Sequence, residues 1–398
     1  MRIPFIKPDI TQNEIDAVVD VLRSGWITTG PVTKNFEEEL ASYLDVPKVA
    51  CVNSQTAGAE LVLRLLGIGE GDEVILPAYT FTATCSVVEH VGATPVMIDS
   101  QIDSPEMDYN LLEEAITEKT KVIIPVDIAG IICDYPKIYQ AIENKKYLFK
   151  AGQNKYQQLF NRIIILADTA HSLGAEINNV KAGNIADFSS FSFHAVKNLT
   201  TAEGGAVSWK KNSLLNAEEI YKELMLFSLH GQSIDALAKT QLGSWEYDII
   251  EPLYKCNLSD IAAAIGYSQL KRYPKMLARR REIIRKYDEA FRALPLSTLN
   301  HFKDGQQSSG HLYFIRIDDF NEKERNEFII KMAEKGISCN VHYKPLPMLS
   351  AYKKRGYIIE DYPNAFNYYK NLVTLPIYST LTDTEVEYII SSIKKILK

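Results

Sequence analysis

Several features that would identify a protein at once are missing from this 398-residue chain. Its five cysteines, at 51, 85, 133, 256 and 339, include no CxxC pair. An odd count without ligand spacing argues against a disulfide framework or a zinc site and suits a reducing cytoplasm. No apolar run approaches the roughly 18 residues of a membrane span. The longest, such as 163–167, have the length of a strand. Positive charge is not in excess: 44 Lys and Arg against 50 Asp and Glu leave −6, which gives no bulk grip on nucleic acid. The seven histidines form no HxH or HExxH pair, which disfavours metal catalysis. GxSxG, GxGxxG and Walker sequences are absent, so a serine hydrolase and the common nucleotide fingerprints are disfavoured. Residues 1–10 hold two prolines and no long apolar core, so they do not read as a signal peptide.

What is present is ordinary in amount and informative in order. Hydrophobic residues make up 46%, enough apolar surface to exclude disorder as the main state. The length suggests two domains. Ile15, Val18, Val19 and Leu22 fall at i, i+3, i+4 and i+7, which predicts a helix over 11–23. A second helix is predicted over 55–66, and strands over 48–52, 72–76, 94–98, 121–126, 161–167 and 187–193. Strand and helix in alternation indicate a parallel α/β sheet. After about residue 210 the pattern changes. Helices are expected over 212–230, 260–293, 321–335 and 383–397, the second kinked or broken at Pro274. Strands are expected over 310–317 and 337–343. This mixture suggests a smaller α+β domain, and the division is drawn as 1–250 and 251–398. The dense basic run 271–281 reads as a solvated or intersubunit helix face. The polar and aromatic stretch 145–162 reads as an inserted excursion.

Four segments could carry chemistry. Lys197 follows a predicted strand in FSFHAVKNLTTAEGGAV (191–207), among aromatics, hydroxyls and the Gly204-Gly205 pair. Most lysines are solvated, but one in a partly dry pocket has a lowered pKa and can form a Schiff base. Asp168 closes the apolar run of IIILADTAHSLG (163–174), and His171 lies three residues on. Ligand sites of α/β sheets gather at the C-terminal ends of strands, although a helix cap is the bland alternative for Asp168. The turn VNSQTAG (52–58) joins a strand to a helix, whose N-terminus favours phosphate. Tyr79 and Phe81 in LPAYTFTAT (76–84) could stack on a flat ring or pack in the core. Pyridoxal phosphate needs all four: an amine for its aldehyde, an acid for its ring nitrogen, amides and hydroxyls for its phosphate, and an aromatic face.

The motifs extend along nearly the whole chain: SGWITTG (24–30), GDEVILPAYTFTAT (71–84), GATPVMID (92–99), ADTAHSLG (167–174), LHG (229–231), YKCNLSDIAAAIG (254–266), GISCNVHYKPL (336–346) and LPIYSTLTD (375–383). With the lysine segment they resemble the DegT/DnrJ/EryC1/StrS family of sugar aminotransferases. The resemblance implies the type I aspartate aminotransferase fold: an α/β domain with a mostly parallel seven-stranded sheet between helices, and a smaller α+β C-terminal domain. It implies pyridoxal 5'-phosphate held covalently by Lys197, with pyridoxamine phosphate as the intermediate form. Asp168 matches the acid at the ring nitrogen, and His171 a position near the 3-hydroxyl. Phe81 matches the stacking aromatic. Thr56 and Ala57 match the helix start at the phosphate, and Ser192 its hydroxyl ligand. Asn257 matches an asparagine that reaches the neighbouring subunit's cofactor, which implies a homodimer with shared active sites. His230, His342 and Tyr343 match the sugar-nucleotide end.

The implied reaction moves an amino group from L-glutamate to a nucleotide-linked keto sugar in a cytoplasmic enzyme, with no nucleic-acid or membrane partner. The stretch 245–260 is similar to that of members acting on 4-keto-6-deoxy sugars, so UDP- or dTDP-linked forms, including 2-acetamido ones, are expected, for surface polysaccharide. Two other outcomes exist within the family. Sugar 3-dehydratases use the same cofactor but commonly replace the lysine by histidine, and regulatory members keep only the fold. This chain departs from common family patterns at NSQTAG (53–58), and at Ala167, where a carboxylate is commoner.

Overall fold

The computed structural model describes residues 1–211, 214–233, 246–303 and 305–397. Seven strands form the central sheet: β1 (Val49–Val52), β2 (Glu73–Pro77), β3 (Thr94–Ile98), β4 (Thr120–Ile123), β5 (Ile164–Asp168), β6 (Phe188–Ser192) and β7 (Gly205–Trp209). Their order is β1-β7-β6-β5-β4-β2-β3. Only β7 runs against the others. Every residue of β5 is buried, the pattern of a strand covered on both faces. Helices Gln55–Leu65, Thr82–His90, Tyr109–Ala115 and Tyr135–Asn144 fall between the parallel strands, as right-handed crossovers require.

This topology positions the site. Six strands point the same way, so the turns after β1, β2, β5 and β6 open at one edge of the sheet. Those turns hold residues 53–57, Phe81, His171 and Lys197. Register completes the alignment: Asp168 pairs with Ser190 on β6, and Ser192 pairs with Gly205 on β7.

A second, three-stranded sheet joins Leu296–Thr298, Tyr313–Ile317 and Leu372–Leu375. With helices Glu322–Glu334 and Asp383–Ile396 it encloses its own core, which also takes in Ile3 from the N-terminus. Helix Asp260–Phe291 serves both cores: Leu270, Tyr273 and Leu277 pack with Phe36 and Phe191, whereas Ile283, Tyr287 and Phe291 pack with Tyr313 and Phe328. Burial of each such side chain contributes about 1.5–3 kcal/mol.

Several expectations need correction. The helix over 260–291 is not broken at Pro274; one helix runs through it. Burial on both sides of the proline offsets the lost hydrogen bond, and the Tyr273 hydroxyl donates to the Leu173 carbonyl at 2.7 Å. The basic run 271–281 is a solvated face only in part: Lys271 and Lys275 are exposed, but three of its arginines are held within the chain. Arg272 pairs with Asp9 and Glu14, Arg279 with Glu282 and Asp383, and buried Arg280 donates to the Gly310 and Ile377 carbonyls. No strand forms over 337–343, where only isolated bridges at Ile337 and Asn340 occur. There the Val341 N–H is taken by the Asn340 side chain at 2.7 Å instead of a ladder partner. The stretch 145–162, expected as an inserted excursion, packs against the domain. It contains helix Lys155–Phe160, with Tyr156 and Phe160 in the core, and its Asn154 and Gln157 cap the Leu65 and Leu66 carbonyls. Of the helix expected over 212–230, Ala217–Ser228 is helical; residues 212, 213 and Trp245 lie outside the described residues.

Candidate active site

Asp168 ends β5 at 6% exposure. It is not a helix cap. Its Oδ2 accepts the Thr84 hydroxyl at 2.8 Å and its Oδ1 accepts the Ala170 N–H at 3.1 Å. Because the Thr84 proton goes to Asp168, Thr80 donates to Thr84 at 2.9 Å. Burial pushes the Asp168 carboxyl above its usual range, while Thr84, Ala170 and Lys197 pull it back.

Lys197 sits on a turn closed by its N–H to the His194 carbonyl at 2.8 Å. Desolvation pushes its ammonium down to about 8, with the charge of Asp168 acting in the opposite sense. Lowered this far, the lysine holds far more free amine near neutrality than a solvated lysine does, and only the free amine is the nucleophile.

His171 is buried. Its Nδ1 accepts the Ala129 N–H at 3.2 Å, and its Nε2 lies 3.1 Å from the Tyr343 hydroxyl. Burial, followed by the charge on Lys197, holds it neutral. Tyr343 packs against Phe81 at 5.6 Å and His342 at 5.0 Å. His342 stacks on Phe5, bonds to Thr374 at 3.1 Å, and is pushed down to about 4 by burial and then by Lys197. Tyr79 and Phe81 divide the two roles left open for them. Tyr79 is fully buried, donates to the His342 carbonyl at 2.8 Å and accepts the Tyr343 N–H at 3.0 Å. Phe81 stands 55% exposed at the start of helix Thr82–His90, free to cover a ring.

The helix Gln55–Leu65 begins at the same edge. Ser54 caps it, its hydroxyl accepting the Ala57 N–H at 3.1 Å; Thr56 and Ala57 are half-buried. Gly205 lets β7 pass this helix start, since a Cβ there would lie 2.3 Å from the Ser54 carbonyl carbon. Gly205 therefore lets the start of this helix lie close against the strand, and a helix start with free N–H groups is one that can take an anion. Ser192, paired with Gly205, accepts the His194 N–H at 3.4 Å.

Phe81, Asp168, His171, Lys197, His342 and Tyr343 thus form one cluster, with Thr56, Ala57 and Ser192 beside it. His230 and Asn257 do not join them. His230 is exposed, and its N–H donates to the Tyr254 carbonyl at 2.7 Å. Asn257 bonds to Thr29 and Lys255 and lines an open cavity of about 400 Å³ with Thr28, Glu37 and Tyr221.

The sequence reading missed Thr84, Asp127, Ala129, Asn198 and His311. Asp127 ties the floor together: its N–H donates to the Asp168 carbonyl at 3.1 Å, and its carboxyl accepts the Ser172 hydroxyl at 2.8 Å. His311 packs on His171 at 4.3 Å and bonds to Asn198 at 2.9 Å. Thr84 carried a signal, lying one helical turn beyond Phe81; the others are joined only by the fold.

The residues present fit pyridoxal phosphate on chemistry: a desolvated amine, a buried carboxyl held by donors, an exposed aromatic face, and a capped helix start that tolerates no Cβ at Gly205. Comparisons with known proteins agree. The model of the DegT/DnrJ/EryC1/StrS aminotransferase family matches residues 8–394. The PMP-form of the proposed sugar aminotransferase Spr1654 from Streptococcus pneumoniae is 55% identical, covers 99% of both chains and superposes with a TM-score of 0.97. The PLP-form of the same protein is 52% identical with a TM-score of 0.96 and complete coverage of both chains. Spore coat polysaccharide biosynthesis protein SpsC from Bacillus subtilis is 34% identical over 100% of this chain and 97% of its own. Helicobacter pylori PseC, an aminotransferase involved in the biosynthesis of pseudoaminic acid, is 29% identical, covering 100% of this chain and 99% of its own, with a TM-score of 0.85. The chain belongs to the DegT/DnrJ/EryC1/StrS aminotransferase family.

Proposed function

We propose that the protein is a pyridoxal-phosphate-dependent aminotransferase that moves an amino group from L-glutamate to the keto group of a nucleotide-linked keto sugar. One observation carries the reading: a lysine amine desolvated to about 8 beside a buried, donor-held carboxyl at the ends of two neighbouring elements of the sheet edge. The lysine also argues against a dehydratase, in which that position is replaced.

When bound, pyridoxal phosphate supplies the electron sink and carries the amino group between the two substrates. Asp168, ionised, would accept a hydrogen bond from the protonated ring nitrogen and keep its proton in place, with Thr84 and Ala170 fixing the carboxylate's direction. Lys197 holds the cofactor and, once released, lifts the proton from the donor α-carbon and returns it as general base and acid. Phe81 covers the ring face. Thr56, Ala57 and Ser192 hold the phosphate, and His171 lies at the ring edge. Asn257 serves the phosphate of a second copy, so the enzyme works as a homodimer with shared sites. His230, His342 and Tyr343 face the sugar nucleotide.

The roles named for SpsC and PseC, in a spore coat polysaccharide and in pseudoaminic acid, support a surface-glycan pathway. The substrate proposed is a UDP- or dTDP-4-keto-6-deoxyhexose, with the 2-acetamido form included. The test is incubation with glutamate and a panel of nucleotide keto sugars, with NMR locating the new amine. Amination at C4 of such a sugar is expected. Failure of every keto sugar to accept nitrogen would refute the reading.

A further inference from the structure

His171 is fixed in one tautomer by its surroundings. Ala129 adopts a left-handed backbone at φ 58, and its N–H donates to His171 Nδ1. An imidazole held neutral and accepting at Nδ1 carries its own proton on Nε2. That proton is donated to the Tyr343 oxygen, 3.1 Å away. The phenol's own proton must then point elsewhere, and no described residue accepts it. The Tyr343 ring cannot swing to seek another partner: it stacks on His171, touches Phe81, and its N–H is clamped by Tyr79.

The chemistry of the proposed ligand supplies the acceptor. In pyridoxal phosphate the ring nitrogen and the aldehyde carbon lie opposite each other. A ring held by Asp168 at one and Lys197 at the other presents its phosphate arm and its hydroxyl on opposite edges. The helix start at 54–57 suits the phosphate edge, which leaves the hydroxyl edge for His171 and Tyr343.

We propose that Tyr343 is a fixed hydroxyl donor to the cofactor's ring oxygen, aimed by His171 and the Ala129 N–H. This role rests on the reading of the site as a pyridoxal phosphate site. A donor on that oxygen spreads its negative charge and weakens its hold on the proton it shares with the nitrogen supplied by Lys197. The other ionisable groups around Tyr343 are Tyr79, Asp168, Lys197, His171, His311 and His342, and all remain when only the hydroxyl is removed.

The experiment is a pH titration of the visible absorbance band of the resting protein loaded with pyridoxal phosphate. Tyr343→Phe keeps the ring packing and should titrate about one pH unit higher than wild type, the size of one lost hydrogen bond. His171→Val frees the phenol to rotate and should shift the midpoint in the same direction by less. An unchanged midpoint in a loaded Tyr343→Phe protein overturns this role, even if KM for the sugar rises. A wild-type protein that forms no visible band overturns the cofactor reading itself, and this role with it.

Discussion

The cluster around Asp168, here called the floor, and the separate surface that carries His230 and Asn257, here called the rim, are built on different terms. On the floor, Thr84, Asp168 and His171 are 1%, 6% and 7% exposed, and each is bonded by residues of the same chain. On the rim, His230 is exposed and Asn257 opens onto a cavity of about 400 Å³. Buried polar groups on the floor must be satisfied internally, because each unpaired one costs about 1–3 kcal/mol. The exposed groups of the rim are under no such constraint, and on the proposed reading they receive a substrate or a second copy. Chemistry and recognition are thereby separated in space, and substitutions should separate them in kinetics.

The largest effect belongs to the floor. Lys197→Ala removes the residue proposed as both anchor and proton carrier, and turnover should fall by roughly 10⁴-fold or more. The rate of 2-oxoglutarate release from glutamate is the measurement. Normal turnover by this variant would remove the floor from the chemistry altogether.

The next effect concerns the base of the rim cavity. Glu37 is buried there; its carboxylate oxygens accept the Cys51 N–H at 2.7 Å and the Tyr221 hydroxyl at 2.6 Å. Desolvation raises its carboxyl from 4.5 to about 7. A raised folded pKa favours the protonated folded state, so this contribution is full below the unfolded value and is lost as pH climbs from about 4.5 through 7. Glu37→Gln keeps the shape without the charge. It should be more stable than wild type at pH 8, by up to about 3 kcal/mol, with the advantage vanishing near pH 4. Denaturant melts at the two pH values decide it; an equal difference at both would mean that Glu37 does not titrate across this range.

Thr84→Val tests the floor without touching the reacting groups. It takes one donor from Asp168 and leaves Thr80 facing a methyl group. A loss of about tenfold in kcat is expected, equivalent to about 1.4 kcal/mol, with KM for the sugar unchanged. A change confined to KM would place Thr84 with the rim instead.

How much of this was legible in the chain follows from how local each feature is. Lys197 and Asp168 were readable because one lies in the turn after a strand and the other ends a strand, each within one continuous motif, and parallel strands bring such ends to one edge. Phe81 and Tyr79 could not be told apart from local pattern alone, since only burial distinguishes them; the family resemblance singled out Phe81. His311 and Ala129 were invisible: they meet His171 across 140 and 42 positions of chain, with no local pattern to announce it. The basic run at 271–281 was legible only in part: Lys271 and Lys275 are exposed as expected, but the partners of Arg272 and Arg279, Asp9, Glu14 and Asp383, lie far away in sequence. The chain over 337–343 looked like a strand by composition, yet the Asn340 side chain satisfies the Val341 N–H that a ladder would have used. Composition reports what a segment could become, whereas pairing depends on which backbone groups are still unsatisfied.

The smallest effect makes the sharpest test of the separation. His230 has φ 60, a left-handed backbone that asparagine tolerates better than most residues. His230→Asn therefore keeps the N–H bond to Tyr254 while removing the imidazole from the rim. KM for the nucleotide sugar should rise about threefold to tenfold, the worth of one solvent-accessible hydrogen bond. The half-reaction with glutamate, followed alone in a single turnover, should proceed at the wild-type rate, because the floor groups that move its proton make no contact with His230. If both half-reactions slow together, the rim is coupled to the floor, and the second copy expected at Asn257 becomes the first place to look for that coupling.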